Sequence, residues 1–101
     1  MIVYVDIDET ICITPDSRDY AKAAPILCRI ERINQLYDQG NRIIYWTARG
    51  TSTKIDWRDV TEEQFSGWGV KYHELHFGKP HYDLFIDDKN INSDTFFNIK
   101  T

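Results

Sequence analysis

Met1-Ile2-Val3-Tyr4-Val5-Asp6-Ile7-Asp8-Glu9-Thr10 opens the chain and decides how the rest is read. Ile2 to Asp6 is a short, β-branched apolar run, the pattern of a buried parallel strand. Asp6 and Asp8 follow at its carboxyl end, where open α/β sheets bind ligands. Two negative charges that close together are costly to bury unless a positive partner joins them. A divalent cation held by oxygen ligands is such a partner. An aspartate beside it can act as a nucleophile, and a second as a general acid/base.

Outward from that stretch, residues 11–24 are polar, lack periodicity and read as a loop or small hairpin. Pro25 opens a helix whose apolar face is Ile26, Ile30, Ile33 and Tyr37, and Gly40 stops it. Arg42 to Trp46 is a second strand, ending at Thr47. A polar loop, Arg49 to Lys54, leads to a second helix running from Trp57 to Trp68 and ended by Gly69. Val70 to Leu75 reads as a third strand, Gly78-Lys79-Pro80 as a turn, and Tyr82 to Ile86 as a fourth strand ending at Asp87-Asp88. In the tail, Asn90 to Thr101, Phe96 and Phe97 are expected to pack back onto the sheet. Alternating strands and helices predict a single Rossmann-like α/β domain over residues 1–101. It is a three-layer α/β/α sandwich on a parallel sheet, with strand order 3-2-1-4 and the first strand central.

A chain of 101 residues is near the small end for a self-sufficient core, and 42% hydrophobic with 14% aromatic content marks a folded protein. A formal charge of −4 with no basic patch counts against a duplex nucleic-acid partner. No apolar run of spanning length and no signal segment is present, so the expectation is a cytoplasmic protein with no membrane association. Cys12 and Cys28 are too few and too far apart for a disulfide framework or a cysteine metal site.

Parallel strands bring their carboxyl ends to one edge of a sheet. Asp6, Asp8, Thr47, Asp87 and Asp88 should therefore converge there, with Lys79 nearby. Four carboxylates alone would repel one another; around a hard cation such as magnesium they become ligands. Lys79, the Thr47 hydroxyl and backbone N–H groups after Asp6 could then surround an anion with several oxygens. A phosphoryl group fits, and its transfer needs mainly positioning and charge neutralisation. Taken singly, Thr47 reads as a strand-end cap, Lys79 as a surface lysine and Asp87-Asp88 as a solvated turn; together and in order they favour a site. Arg49 reads either as a second phosphate contact or as a solvated loop arginine. Arg18, Lys22 and Lys54 are weaker candidates. His73, His76 and His81 lack metal-site spacing and read as rim or surface.

Asp6-x-Asp8-x-Thr10, then Thr47, Lys79 and Asp87-Asp88 resemble, in order, the four motifs of the haloacid dehalogenase-like hydrolases. The resemblance runs from Ile2 to about Phe97. Trp46-Thr47-Ala48-Arg49 and Gly78-Lys79-Pro80 with Ile86-Asp87-Asp88 look like the small capless phosphatases of that superfamily, some of which serve capsule or sugar-phosphate biosynthesis. It implies a magnesium-dependent phosphatase for a small phosphorylated metabolite, with a sugar phosphate as the first guess. Asp6 would attack phosphorus and become an aspartyl phosphate. Asp8 would protonate the leaving oxygen and then activate water. Magnesium would be held by the Asp6 carboxylate, the Asp8 backbone carbonyl and Asp87, with Asp88 acting directly or through water. Thr47, Ala48, Arg49 and Lys79 would contact the substrate.

Two departures matter. Glu9 stands where such phosphatases usually have glycine. The loops after Asp8 and Thr47 are also too short for a cap domain, so either the substrate covers the site or a neighbouring subunit of a homo-oligomer does. Two other readings stand beside this one. Trp46-Thr47-Ala48-Arg49 also resembles the phosphatase halves of polynucleotide kinase-phosphatases, which suggests a nucleic-acid end-processing enzyme. The third reading is a non-catalytic metal- or phosphate-binding module.

Overall fold

A computed structural model describes residues 1–99. The β-branched opening run forms β1 (Ile2–Val5), which pairs in parallel with β4 (Arg42–Trp46), and β4 pairs in parallel with β5 (Glu74–His76). Helix α1 (Leu27–Asp38) crosses from β1 to β4, and α2 (Arg58–Trp68) from β4 to β5. Residues between Asp8 and α1 form a small antiparallel ribbon, β2 (Cys12–Ile13) with β3 (Ala24–Pro25), and a 3-10 turn at Tyr20–Lys22. Helix α3 (Ser93–Phe97) closes the chain, and no cap is present among the described residues.

The alternation of side chains along each strand decides where the core sits. Val3 pairs with Ile43 and Val5 with Tyr45, so these residues share a face. On that face Val5, Ile43, Tyr45 and Leu75 pack with Ile30 and Ile33 of α1 and Phe65 of α2. Both crossovers advance in the same direction along the sheet, and right-handed connections then put both helices on the same side. The fold is thus a parallel sheet with its helices against one face. The sandwich expected from the sequence had helices on both. Opposite lie Ile2, Tyr4, Ile44 and Trp46; Ile2 is 68% and Tyr4 58% exposed.

Several boundaries differ from the expectation for physical reasons. Pro25 belongs to β3, because the next amide, Ile26 N, donates to Ile11 O at 2.8 Å and holds the chain extended before α1 begins. The third strand is only Glu74–His76: the Asn34 side chain takes the Lys71 amide and the Gly69 carbonyl, at 2.9 and 2.8 Å, away from any ladder. Gly69 ends α2 in the left-handed conformation at φ 73°, which glycine adopts without strain.

The largest correction concerns the fourth strand. Residues 82–86 pair with no strand among the described residues, and Leu84 and Ile86 are 76% and 86% exposed. Sheet order is therefore β5-β4-β1, with β1 at an edge, not the centre. The Lys79 amide donates to Thr47 O at the carboxyl end of β4, and three residues are too few to return from there to the amino end of β1. The tail docks beside α1, with Arg29 over the Phe97 ring and Arg32 over the Phe96 ring, where the expectation was the sheet. Phe96 and Phe97 pack against the core, and Asp94 pairs with Arg29 at 2.8 Å; Lys100 and Thr101 lie outside the described residues. No helix among those residues is long and apolar enough to cross a membrane.

Phe65 is 1% exposed, and its ring lies 4.9 Å from that of Tyr45, with Tyr72 at 5.1 Å. Phe65→Ala should therefore destabilise the fold by about 3–5 kcal/mol in urea unfolding. A loss below ~1 kcal/mol would show that the face joining α2 to the sheet is not the core.

Candidate active site

The turn after β1 is built from its own backbone. Thr10 N and Ile11 N both donate to Ile7 O, and Glu9 N donates to Cys12 O at 2.9 Å. This closure puts Glu9 at φ 59°, the left-handed region that a residue with a Cβ enters at a cost of roughly 1–2 kcal/mol. Its carboxylate offsets that cost locally by accepting from the Thr14 amide at 2.9 Å and from Arg18 at 2.5 Å. The side chain thus folds back over the turn onto Thr14 and Arg18.

The tight turn splits the two aspartates into different surroundings. Asp6 has its Oδ1 3.5 Å from Lys79 Nζ, and Oδ2 accepts a long hydrogen bond, 3.4 Å, from the Thr10 hydroxyl. Burial pushes its carboxyl above the usual carboxylate range, an effect only partly countered by Lys79 and the Ile7 amide. Asp8 is saturated. Its Oδ2 accepts from Arg49 Nε at 3.0 Å, and Oδ1 accepts from Arg49 Nη2 at 2.9 Å and also from the Thr14 hydroxyl.

Arg49 is the residue whose place the sequence did not reveal. Its side chain is fully buried. Nη1 donates to Thr61 Oγ1 at 3.0 Å and Gln64 Oε1 at 2.6 Å, both on α2, and its guanidinium sits 4.9 Å over the Tyr20 ring. Gln64 in turn donates to Tyr20 O at 2.6 Å. Arg49 is therefore not a solvated loop residue: it lines the cleft, and its guanidinium is a strut under Asp8. Gly50 makes the next turn possible: at φ 78° a Cβ would lie 2.1 Å from the Ile55 carbonyl oxygen.

Thr47 is 1% exposed, and its hydroxyl accepts from the Arg49 amide at 3.1 Å, leaving its own proton for a ligand. Lys79 is held by its amide on Thr47 O at 3.1 Å and by the Trp46 and Tyr82 rings, 5.9 and 5.4 Å from Nζ. Asp6, Asp8, Thr47, Ala48 and Arg49 line one cleft of about 240 Å³ with Arg18, Tyr20 and His81. A hollow of about 310 Å³ beside α2 has Glu63 as its one charged lining residue and no convergent polar groups. Tyr20 carried no signal in the sequence, because the ribbon that delivers it has no periodicity.

Asp87 and Asp88 do not join this cleft. Both are exposed, and the polar contact they share is Asp88 N to Asp87 Oδ1 at 2.8 Å. Among the described residues no group of three or more His, Cys, Asp or Glu is placed to hold a metal ion. Magnesium takes six oxygens in near-octahedral array. The Asp6 carboxylate suits it as a first ligand, while Asp8 has both side-chain oxygens engaged and Asp87 stands apart. Water and substrate oxygens ordinarily fill the rest of a magnesium shell. His73 and His76 also lie away from the cleft: His73 Nδ1 accepts from the Ile43 amide at 3.0 Å, and His76 pairs with Glu74 at 2.9 Å.

No family model matches the chain, and no curated protein matches it. A crystal structure of a structural-genomics target from Vibrio cholerae is similar to it. The two share 26% sequence identity at a TM-score of 0.86, over 98% of this chain and 89% of that one. The likeness carries the α/β fold and is silent on chemistry.

Two predictions come from the divided aspartates. Arg49→Ala leaves Asp8 buried without its cation and should cost about 3–5 kcal/mol in thermal or urea unfolding; a surface-like cost below ~0.5 kcal/mol would contradict the strut. Asp6 behaves in the opposite sense. A carboxyl raised in the folded state holds its proton longer there than in the unfolded chain, so its contribution falls as pH rises above 3.8. Asp6→Asn should therefore raise the melting temperature at pH 7, and the gain should vanish below pH 3.8. Equal melting temperatures at pH 7 would show that Lys79 fully compensates the buried charge.

Proposed function

We propose that this chain is a phosphoric monoester hydrolase of the haloacid dehalogenase-like kind, acting through Asp6. The observation that carries this reading is the contrast between its two aspartates. Asp6 faces the cleft with its side chain 37% exposed and only Lys79, 3.5 Å away, to balance its charge, while Asp8 two residues on is fixed by Arg49. A nucleophile needs the first environment, and a group that must hold a fixed position beside it needs the second.

In the proposed reaction an Asp6 oxygen forms a bond to phosphorus as the bond to the leaving oxygen breaks. Asp8 would supply the leaving group's proton from its protonated form, which requires one of its two Arg49 bonds to loosen, and would regain one from the water that splits the aspartyl phosphate. Lys79 offsets the charge on Asp6 and the phosphoryl oxygens, and the Thr47 hydroxyl donates to one of those oxygens. Ala48 lines the floor. Arg49 holds Asp8 in register while lining the same cleft.

Magnesium would supply the missing neutralisation, and Asp6 with the Asp8 carbonyl would begin its ligand set. Asp87 and Asp88 would complete it if a segment 82–86 lay along the free edge of β1 as the fourth strand of a 3-2-1-4 order, a place the bond from Lys79 to Thr47 denies to the chain's own segment. A small phosphorylated metabolite, with a sugar phosphate first, suits a cleft of this size. The free thiols of Cys12 and Cys28 suit a reducing cytoplasm; burial and the nearby Asp8 push the Cys12 thiol up to about 12, which leaves it unreactive.

The test is phosphate release over a panel of sugar phosphates, nucleotides and a 3′-phosphorylated oligonucleotide, with and without magnesium, beside Asp6→Asn. Magnesium-dependent turnover on a metabolite, reduced at least ~1,000-fold in the variant, is expected. Turnover unchanged by Asp6→Asn would remove Asp6 as nucleophile. Preference for the oligonucleotide, steeply weakened by salt, would instead indicate an end-processing enzyme.

A further inference from the structure

Three features left open by the fold match one another. Among the described residues the edge of β1 pairs with nothing on its outer side, and the sheet face beside it presents Ile2 and Tyr4, with Trp46 half-buried and Ile44 buried. Residues 82–86, Tyr-Asp-Leu-Phe-Ile, read as a strand yet stand away from any sheet, with Tyr82, Leu84, Phe85 and Ile86 all exposed. Asp87 and Asp88 follow that segment directly and are absent from the cleft that holds Asp6.

The segment does not satisfy the edge of its own chain in a useful register. Its departure point is pinned, because Lys79 N donates to Thr47 O one residue beyond the end of β4. From there to a place beside Ile2 is ~16 Å along the strand and ~10 Å across two strand spacings. The three residues from Lys79 to Tyr82 reach at most ~11 Å. Antiparallel pairing would need no return path, but it would carry Asp87 and Asp88 to the amino end of β1, away from Asp6. A second copy is not bound by this tether.

We propose that residues 82–86 are exchanged between two copies of this chain, each segment lying parallel along β1 of the other and delivering Asp87 and Asp88 beside the partner subunit's Asp6. The exchange is reciprocal and closes as a two-fold dimer. It covers a bare strand edge by strand addition and buries the apolar side chains of the segment against the open sheet face. Each cleft then contains Asp6, Asp8, Thr47 and Lys79 from one chain and two carboxylates from the other. The placement of the carboxylates rests on the phosphatase reading; the exchange of the segment does not.

The decisive experiment is sedimentation equilibrium on the full chain and on a Leu84→Asp/Ile86→Asp double variant, followed by complementation. Wild type is expected at twice the 12.0 kDa chain mass, and the double variant at 12.0 kDa with an unchanged far-ultraviolet spectrum. A wild-type mass of one chain, or a double variant that stays dimeric, overturns the proposal. Asp6→Asn and Asp87→Asn chains, each inactive alone, are then produced together. Random pairing makes half the dimers mixed, each with one whole cleft, so phosphate release should return to about one quarter of wild type. No recovery, with wild type active, overturns the shared cleft. Should wild type release no phosphate at all, the phosphatase reading fails while the two masses still decide the exchange.

Discussion

Everything at the strand ends depends on one buried contact, the two-pronged pairing of Arg49 with Asp8. A guanidinium taken fully out of water costs several kcal/mol unless its donors are met. Here they are met from three directions: Asp8 after β1, Thr61 and Gln64 on α2, and the ring of Tyr20 from the ribbon. One side chain thereby fixes the distance between the first turn, the second helix and the insertion. It also settles the electrostatics of the pair. Arg49 spends its charge on Asp8, so Asp6, held in the same turn, is left with Lys79 at 3.5 Å and a partly unmet demand for positive charge. The asymmetry between the two carboxylates follows from which one the arginine reaches.

What could be read from the sequence was what local pattern controls. Ile2 to Val5 and Arg42 to Trp46 are strands because β-branched and aromatic residues suit a pleated surface, and the helix ending before Gly69 declares itself by its stop. The meeting of Asp6, Asp8, Thr47 and Lys79 was legible too, since parallel strands share an edge for their carboxyl ends. Arg49 was not. Its partners lie 12, 15 and 41 residues away, and nothing near it in the chain says that it turns inward. The shortened third strand belongs to the same class, because it depends on Asn34 reaching across from α1 to Lys71 and Gly69. Glu9 shows the reverse: its unusual identity was visible, but its role as a clasp over Thr14 and Arg18 needed the turn geometry.

The fourth strand was misplaced for an instructive reason. The aromatic and aliphatic run of residues 82–86 is a sound signal for an extended segment, with Tyr82, Leu84 and Ile86 on one side. It carries no information about which edge that side will meet, nor about whether the preceding tether allows the meeting. Reach is a property of the assembled sheet, set here by the bond from Lys79 to Thr47. β1 has no charged residue, proline or bulge with which an isolated edge strand is ordinarily protected from pairing. Such an edge, and an exposed apolar segment that pairs with no strand among the described residues, are what the proposed exchange would cover.

Charge then bears on when that covering is favourable. Bringing Asp87 and Asp88 to a cleft that already holds Asp6 places more negative charge where burial has raised the Asp6 carboxyl. Without a cation that approach is repulsive; with one, each carboxylate becomes a ligand. In the proposed assembly, cation binding and strand exchange therefore favour each other, and linkage requires the coupling to be reciprocal. Arg49 keeps Asp8 out of this balance, because its charge is already matched. The same buried contact that positions one aspartate leaves the other dependent on what a second chain and a cation bring to it.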